Sequence, residues 1–259
     1  MYPPARVNPL KRALAAGHVQ LGTWINLVRN PAVLTLLKSS GLDYARVDME
    51  HSSPSIETVA DMAVLGRALD FPIVVRPPAG NREWITRLLD VGVQGLHVPQ
   101  VDTPEIAQEV VQAARYAPAG MRGMAGFAPG NDFQPAAQED LNAQVHVTVM
   151  LESAEAFRQL DEIVGMEGID AVTLGPSDLA QELGVLGTDR QGAVVDEHRV
   201  QLIEAAGRHG KDVAMLVQTL DEAERWIAAG VKIIAYSTDA SVLGTHYAAA
   251  VRRLRPKPL

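Results

Sequence analysis

The stretch HVTVMLESAEAFRQLDEIVGMEGIDAVTLG, residues His146–Gly175, contains the structural unit that decides the fold. It opens with a nearly continuous apolar run, His146–Glu152, and closes with another, Ala171–Gly175. Continuous apolar runs of this length are typical of parallel strands that are buried on both faces. The segment Ser153–Ile163 between them has helical spacing and is followed by Gly165, so the stretch predicts a strand–helix–strand unit.

The same unit recurs along the chain. Further strands are predicted at Val19–Trp24, Tyr44–Asp48, Ile73–Arg76, Gly95–Pro99, Asp212–Val217 and Lys232–Ser237. Further helices are predicted at Thr58–Leu69, Arg82–Leu89, Glu197–Arg208 and Asp221–Ala229, and a glycine after most helices fits a left-handed C-cap. Eight parallel strands with right-handed helical crossovers predict a single α/β domain over residues 1–259, a (β/α)₈ TIM barrel. A doubly wound open sheet is the alternative, but no glycine-rich dinucleotide fingerprint follows the first strand.

Composition narrows the classes of function. Apolar residues make up 47% of the 259 residues, which is enough for the core of one barrel. A formal net charge of −8 repels phosphate backbones, so we expect no nucleic-acid partner. The absence of cysteine excludes disulfides, thiolate metal sites and cysteine nucleophiles. No apolar stretch approaches membrane-spanning length and no signal-peptide core is evident, so we expect a cytoplasmic protein.

Polar residues follow several of the predicted strands. In a (β/α)₈ barrel the carboxyl ends of all strands meet at one rim, where the reacting groups lie. We therefore expect these side chains to converge on one ionisable site. They are Asp48, Glu50 and His51 after the second strand, Arg76 at the end of the third, Glu152 at the end of the fifth, Asp178 after the sixth, and Thr238 and Asp239 after the eighth.

Glu152 and Asp178 are the candidate ligands for a divalent metal ion. Hard cations such as Mg²⁺ or Mn²⁺ prefer oxygen ligands, and two carboxylates leave positions open for a chelating substrate. The alternative for Asp178 is that it caps a helix at Leu179–Leu183. Neither residue alone decides between these interpretations, whereas the pair at two strand ends favours the metal site.

His51 and Arg76 are the candidate groups for proton transfer and charge stabilisation. Histidine titrates near neutral pH, which suits a general acid or base, although a surface histidine is the alternative. A guanidinium group donates a fork of hydrogen bonds to an enolate oxygen or a carboxylate. A structural salt bridge from Arg76 to Asp48 or Glu50 is an alternative that does not exclude this role.

Five segments together resemble the HpcH/HpaI aldolases, a family of metal-dependent pyruvate aldolases. They are VDMEHS, VVRPPAGN, LLDVGVQGLHVPQVDTPEIAQEVVQAARYAPAGMRG, LDEIVGMEGIDAVTLGPSDLAQELG and AYSTDASVL, in family order between about Gly22 and Leu243. The resemblance implies a class II carbon–carbon lyase that joins the enolate of pyruvate, or of a related 2-oxo acid, to an aldehyde. It also implies dependence on Mg²⁺, Mn²⁺ or Co²⁺, and no organic cofactor.

The resemblance assigns roles to individual residues. Glu152 and Asp178 match the metal carboxylates, Arg76 the arginine at the enolate oxygen, and His51 the acid–base histidine, with Asp90 as the carboxylate that pairs with it. The remaining residues that it implies for substrate binding are Asp48, Met150, Gly175, Ser177 and Leu216, together with Arg76 and the backbone of Asp178. Members form hexamers built as trimers of dimers that exchange the last helix, here roughly Asp239–Leu254.

The chain also departs from the family pattern. Met150 stands where many members have glutamine, residues 125–137 replace an arginine- and aromatic-containing stretch, and Tyr236 and Ser237 replace small residues. We therefore expect conserved enolate chemistry with an altered substrate pocket. Two alternatives remain open: an enolate-forming lyase such as an oxaloacetate decarboxylase, and a non-catalytic barrel that binds an oxyacid.

Overall fold

A computed structural model of the protein describes residues 5–255. Eight parallel strands pair in sequence order, and the eighth pairs with the first to close a barrel, which confirms the predicted (β/α)₈ fold. Each lies within about two residues of its predicted position. The strands are β1 Gln20–Ile25, β2 Tyr44–Asp48, β3 Ile73–Arg76, β4 Gly95–Val98, β5 His146–Leu151, β6 Ala171–Leu174, β7 Asp212–Val217 and β8 Ile233–Thr238.

Helices surround the barrel and return the chain between strands. They are α1 Pro9–Ala15, α2 Val33–Ser39, α3 Ile56–Ala68, α4 Arg82–Asp90, α5 Pro104–Ala114, α6 Gln138–Gln144, α7 Ala154–Arg158, α8 Leu160–Val164, α9 Pro176–Glu182, α10 Gln191–His209, α11 Leu220–Ala228 and α12 Asp239–Leu254. No helix within residues 5–255 is long and apolar enough to cross a membrane.

Two details of the helices differ from the sequence-based expectation. The helix predicted at Ser153–Ile163 is broken at Gln159, whose φ of −110° and ψ of 23° separate α7 from α8. Gly210 ends α10 in the predicted left-handed conformation, at φ 64°. Gly165 is right-handed instead, at φ −70°, and a side chain there would collide with the Asp161 carbonyl and the His209 ring.

Alternate residues of each strand face opposite sides of the barrel wall. On β2, Ala45 and Val47 face outward and join the main apolar core under the helices. Tyr44, Arg46 and Asp48 take the other positions and point into the barrel, and all three are buried. The amino-terminal end of the interior is closed by Leu10 and Leu14 of α1, Tyr44, Val74, Ala171, Ala214 and Ile233. The interior therefore opens at the carboxyl ends of the strands.

The direction of the helices decides which loops can reach that opening. Each helix runs back towards the amino-terminal ends of the strands, so segments that follow a helix lie on the closed face. Residues 120–142 follow α5 and therefore belong to this closed face. They contain a 3₁₀ turn at Pro129–Asn131 and the start of α6.

Candidate active site

A cavity of about 230 Å³ lies at the carboxyl ends of the strands, and eight of the ten predicted site residues line it. They are His51, Arg76, Met150, Glu152, Gly175, Ser177, Asp178 and Leu216. These residues come from five different strands and the loops after them. The cavity is smaller than the roughly 300–1,000 Å³ of pockets for drug-sized ligands, which suits a small substrate.

Glu152 follows β5 directly and points into the cavity, although its exposed fraction is only 7%. One carboxylate oxygen, Oε1, accepts a hydrogen bond of 2.7 Å from the backbone N–H of Gln100. Gln100 adopts a left-handed conformation, φ 56°, which is uncommon for a residue with a side chain and often marks a functional site. Burial raises the pKa of Glu152 to about 7, and the nearby carboxylates of Asp178 and Glu50 act in the same direction.

Gly175, at the end of β6, leaves the space that the Glu152 carboxylate occupies. A Cβ atom at this position would lie 2.2 Å from Glu152 Oε2 and 2.6 Å from its Cβ. The φ of Gly175 is −86°, which any residue can adopt, so glycine is required here for space and not for conformation. Gly175 therefore holds Glu152 in position by lacking a side chain.

We expect Gly175→Ala to displace the Glu152 carboxylate and to weaken divalent-cation binding by about ten- to a hundredfold, the loss typical when the support of a metal ligand is disturbed. Isothermal titration with Mn²⁺ measures the effect. Gly207→Ala is the matched control, because a Cβ there meets no atom within 4 Å. Unchanged Mn²⁺ affinity in a folded Gly175→Ala variant would contradict the role assigned to Gly175.

Asp178 lies in the first turn of α9, and its side chain is exposed towards the cavity mouth. The N-cap of this helix is Gly175, so Asp178 is the third helical residue and not the cap that the alternative interpretation required. Within residues 5–255, no group of three or more His, Asp or Glu side chains is arranged to hold a metal ion. The donor set is thus a carboxylate pair, which fits a hard cation that completes its shell with water or substrate oxygens.

Arg76 reaches the cavity from the end of β3 and is held from behind. Its Nε and Nη2 atoms each donate to the Asp48 carboxylate at 2.8 Å, and Nη1 lies 3.0 Å from Glu50 Oε2. Its Cζ lies 4.7 Å from the centre of the Trp24 ring. The predicted salt bridges are therefore present, and they orient the guanidinium while N–H groups remain free to donate.

Asp48 does not line the cavity, in contrast to the expectation that it contacts substrate. It is fully buried behind Arg76 and also accepts hydrogen bonds from Asn26 Nδ2 and from the backbone N–H of Glu50, both at 3.0 Å. Asp48 therefore positions Arg76 and the loop that carries His51. Asp239, also predicted at this rim, binds the backbone N–H groups of residues 26–28 instead of facing the cavity.

His51 lies at the mouth of the cavity with 63% of its side chain exposed, and its Nε2 is 3.6 Å from Glu50 Oε2. The predicted partner, Asp90, does not meet it within one subunit. Asp90 ends α4, so it lies on the closed face of the barrel, where its Oδ1 pairs with Arg122 Nη2 at 2.6 Å. A residue at the end of α4 cannot reach the open rim of its own barrel, so the pairing of Asp90 with His51 stays a prediction that requires a neighbouring subunit.

The altered segment at residues 125–137 is also remote from the cavity within one subunit. Asp132 pairs with Arg67 at 2.7 Å, and Gly130 packs against the end of α4. The segment borders a second cavity that contains Asp90 and shares no lining residue with the first. Within one chain the segment therefore does not border the candidate site, and the expectation that it shapes the substrate pocket stays a prediction that requires a neighbouring subunit.

Several residues of the cavity were not predicted as site residues. Trp24, Asn26, Arg46, His97 and Thr173 also line it. The sequence could have identified Arg46. It interrupts the apolar strand YARVD two residues before Asp48, so the two side chains face the same side of the sheet. His97 lies on β4 and is also buried. Both residues face the site from inside the barrel, below the strand ends.

Comparison with known proteins agrees with this site and fold. The family model for HpcH/HpaI aldolase/citrate lyase matches residues 20–244. The chain is 35% identical to hydroxypyruvate/pyruvate aldolase of Deinococcus radiodurans, over 94% of this chain and 90% of that protein. It is 34% identical to 4-hydroxy-2-oxo-heptane-1,7-dioate aldolase of Shigella sonnei, over 91% and 90%.

The crystal structure of an HpcH/HpaI aldolase from Desulfitobacterium hafniense superposes with a TM-score of 0.91 at 30% identity, over 96% of this chain and 97% of that one. The names of these relatives describe enzymes that make or break carbon–carbon bonds, so the predicted family and enzyme class are confirmed. The chain belongs to the HpcH/HpaI aldolase/citrate lyase family.

Proposed function

We propose that this protein is a class II aldolase that binds pyruvate or a related 2-oxo acid as its enolate and joins it to, or releases it from, an aldehyde. The observation that carries the proposal is the convergence of Glu152, Asp178 and Arg76 on one small cavity. Relatives named as aldolases of hydroxypyruvate, pyruvate and 4-hydroxy-2-oxo acids support the same substrate class.

Glu152 and Asp178 would hold the divalent cation, Mg²⁺, Mn²⁺ or Co²⁺. The two carboxylates crowd negative charge into a partly buried site, as the raised pKa of Glu152 reflects, and a cation relieves that crowding. Glu152 Oε1 accepts the Gln100 N–H, and this hydrogen bond orients the carboxylate that would hold the cation. When bound, such a cation polarises a carbonyl oxygen and stabilises negative charge that develops on it.

The protein's own groups then orient the substrate and move the proton. The backbone N–H groups of Ser177 and Asp178 lie in the first turn of α9, where they have no carbonyl partner within the helix, and they are available to a carboxylate. Arg76, fixed by Asp48 and Glu50, donates to the oxygen that becomes the enolate oxygen. His51 at the mouth exchanges a proton with the aldehyde-derived oxygen, with Glu50 close to its Nε2.

Metal affinity is expected to depend on pH through Glu152. A carboxyl group whose pKa is raised to about 7 is largely protonated below that pH, so a cation must displace the proton to bind. The apparent affinity for Mn²⁺ should therefore fall about tenfold for each pH unit below 7 and change little above it. Titration calorimetry in two buffers of different ionisation enthalpy measures the released proton, and no proton release at pH 6 would contradict the assignment.

Cleavage of 4-hydroxy-2-oxo acids tests the proposed reaction directly. Purified protein with Mg²⁺, Mn²⁺ or Co²⁺ is incubated with these acids, and pyruvate release is followed through lactate dehydrogenase. We expect pyruvate release that stops with EDTA. Loss of oxaloacetate without any aldol cleavage would favour the decarboxylase alternative instead.

We further propose that the chain forms dimers that exchange α12 and assemble into a hexamer in the cytoplasm. None of the residues of α12 is buried, and Tyr247, Val251 and Leu254 present 67%, 44% and 79% of their surface. A 16-residue helix with this much exposed apolar surface is expected to pack against another subunit. Light scattering of the intact chain measures the assembly, and a monomer would contradict it.

A further inference from the structure

Arg46 occupies an unusual position in the barrel interior. It lies on β2 two residues before Asp48, points into the barrel and is 1% exposed. The interior of a (β/α)₈ barrel is normally filled by branched aliphatic side chains. A guanidinium group at this depth therefore calls for a physical reason.

Within residues 5–255, Arg46 has neither a salt bridge nor a side-chain hydrogen bond, and its Nε atom is enclosed without a partner. Its Cζ lies 5.2 Å from the centre of the Trp24 ring and 5.8 Å from that of Tyr44, so aromatic faces compensate part of the charge. Burial lowers the pKa of Arg46, and the like charge of Arg76 acts in the same direction. The guanidinium has no carboxylate to balance it.

Another buried arginine of the same chain shows what a satisfied guanidinium looks like. Arg115 is 5% exposed and donates to the carbonyls of Val145 and Gly168 at 2.9 and 2.7 Å. It also pairs with Asp170 at 2.8 Å. Burying a charge without such partners is strongly unfavourable, so an unbalanced arginine points to an anion that is not part of the chain.

His97 adds a second unsatisfied group beside Arg46. It lies on β4, is 1% exposed and packs its ring edge-on against Trp24 at 5.3 Å. Neither ring nitrogen has a hydrogen-bond partner among the described residues. Burial and the charges of Arg46 and Arg76 hold the pKa of His97 well below its ordinary value, so the ring is neutral and carries one N–H that can donate.

Both residues line the same cavity as Arg76, Glu152 and Asp178. Arg46 and His97 form its floor, whereas His51 stands at its mouth with 63% of its side chain exposed. A ligand group that contacts Arg46 and His97 on this floor must belong to the substrate that binds first and deepest in the cavity. On the proposed function this is the 2-oxo acid, and not the aldehyde that approaches from the mouth.

We propose that Arg46 and His97 form a carboxylate subsite on the floor of the cavity, so that the 2-oxo acid used by this enzyme is a short dicarboxylic acid. This inference rests on the proposed function, which places the first carboxylate and the keto oxygen of the 2-oxo acid in the metal half of the site. It adds a second carboxylate, which supplies the negative charge that Arg46 lacks. Pyruvate would fill the metal half of the site and leave Arg46 unbalanced.

Two stable ligand pairs test the subsite. Lactate and malate both chelate through a 2-hydroxy group and a carboxylate, and malate differs from lactate only by a carboxylate on carbon 3. Both enantiomers of each are titrated calorimetrically into the protein with Mg²⁺, and oxalate reports on the metal site alone. We expect one enantiomer of malate to bind about ten- to a hundredfold more tightly than the matching lactate, the effect of one charged hydrogen-bonded pair.

Arg46→Met removes the charge at similar length and should abolish the preference for malate while oxalate still binds. His97→Leu should reduce the preference and serves as the second variant if Arg46→Met does not fold. Arg67→Met is the matched control, because Arg67 is also buried but is paired with Asp132 away from the cavity. We expect Arg67→Met to lower Tm and keep the preference, whereas Arg46→Met keeps or raises Tm in the absence of ligand.

The outcomes separate the subsite from the proposed function. Oxalate binding with no preference for malate, or a preference that survives in Arg46→Met, would overturn the carboxylate subsite and leave the metal site standing. An Arg46-dependent preference for malate without any binding of oxalate would support the subsite and contradict the proposed metal–enolate site.

Discussion

Replacing Glu152 by alanine is expected to remove metal binding and activity together. Asp178 would remain as the single carboxylate, and one exposed carboxylate does not hold a hard cation at millimolar concentration. A bound cation contributes several kcal/mol to stabilising developing charge, and each ~1.4 kcal/mol corresponds to a tenfold rate. We therefore expect aldol cleavage to fall by roughly a thousandfold or more.

Glu152→Gln distinguishes loss of the metal ligand from loss of structure. Glutamine keeps an oxygen that accepts the Gln100 N–H but carries no charge, so we expect the same loss of Mn²⁺ affinity with an unchanged or higher Tm. Glu162→Ala, on the exposed face of α8, is the matched control and should behave as wild type. Full activity in either Glu152 variant would refute the metal assignment.

Replacing Arg76 by alanine is expected to slow the reaction about a hundred- to a thousandfold while the metal still binds, which is the typical loss for one oxyanion donor. Arg76 has a second task, because it neutralises Asp48, which is fully buried. The alanine variant should therefore also lose stability, by about 3–5 kcal/mol, the range for breaking a buried ion pair. Calorimetric Mn²⁺ titration, kcat and Tm together separate these effects.

Arg76→Lys keeps the positive charge but cannot donate through Nε and Nη2 to both oxygens of Asp48. We expect it to recover much of the stability and little of the rate. Arg87→Ala on the exposed face of α4 is the control that should change neither. A near-normal rate in Arg76→Ala would leave Arg76 with the salt bridge to Asp48 as its only role.

Much of the fold was predictable because parallel strands that are buried on both faces have continuous apolar sequences. The same regularity predicts that Glu152 and Asp178 lie at one rim of the barrel. The sequence pattern could not predict the raised pKa of Glu152. Its burial and the approach of Asp178 depend on how the strands close into the barrel. The close approach of Gly175 to Glu152 is likewise a property of the folded barrel.

Two predicted features lie away from the candidate site of their own chain for one physical reason. Asp90 ends α4 and residues 125–137 follow α5, so both lie on the closed face of their own barrel. Arg46 was not among the predicted site residues, although its inward parity on β2 could be read from the sequence. Helix direction and strand parity together account for the positions of all three within one chain.

Enolisation of pyruvate tests the metal–enolate site most directly, because it requires neither an aldehyde nor a second carboxylate. The protein is incubated with pyruvate in deuterium oxide with Mg²⁺, Mn²⁺ or Co²⁺, and loss of the methyl proton signal is followed by NMR. We expect metal-dependent exchange in the wild type that disappears with EDTA and in Glu152→Ala. The absence of exchange with all three cations would contradict the assignment of Glu152, Asp178 and Arg76 to an enolate-forming site.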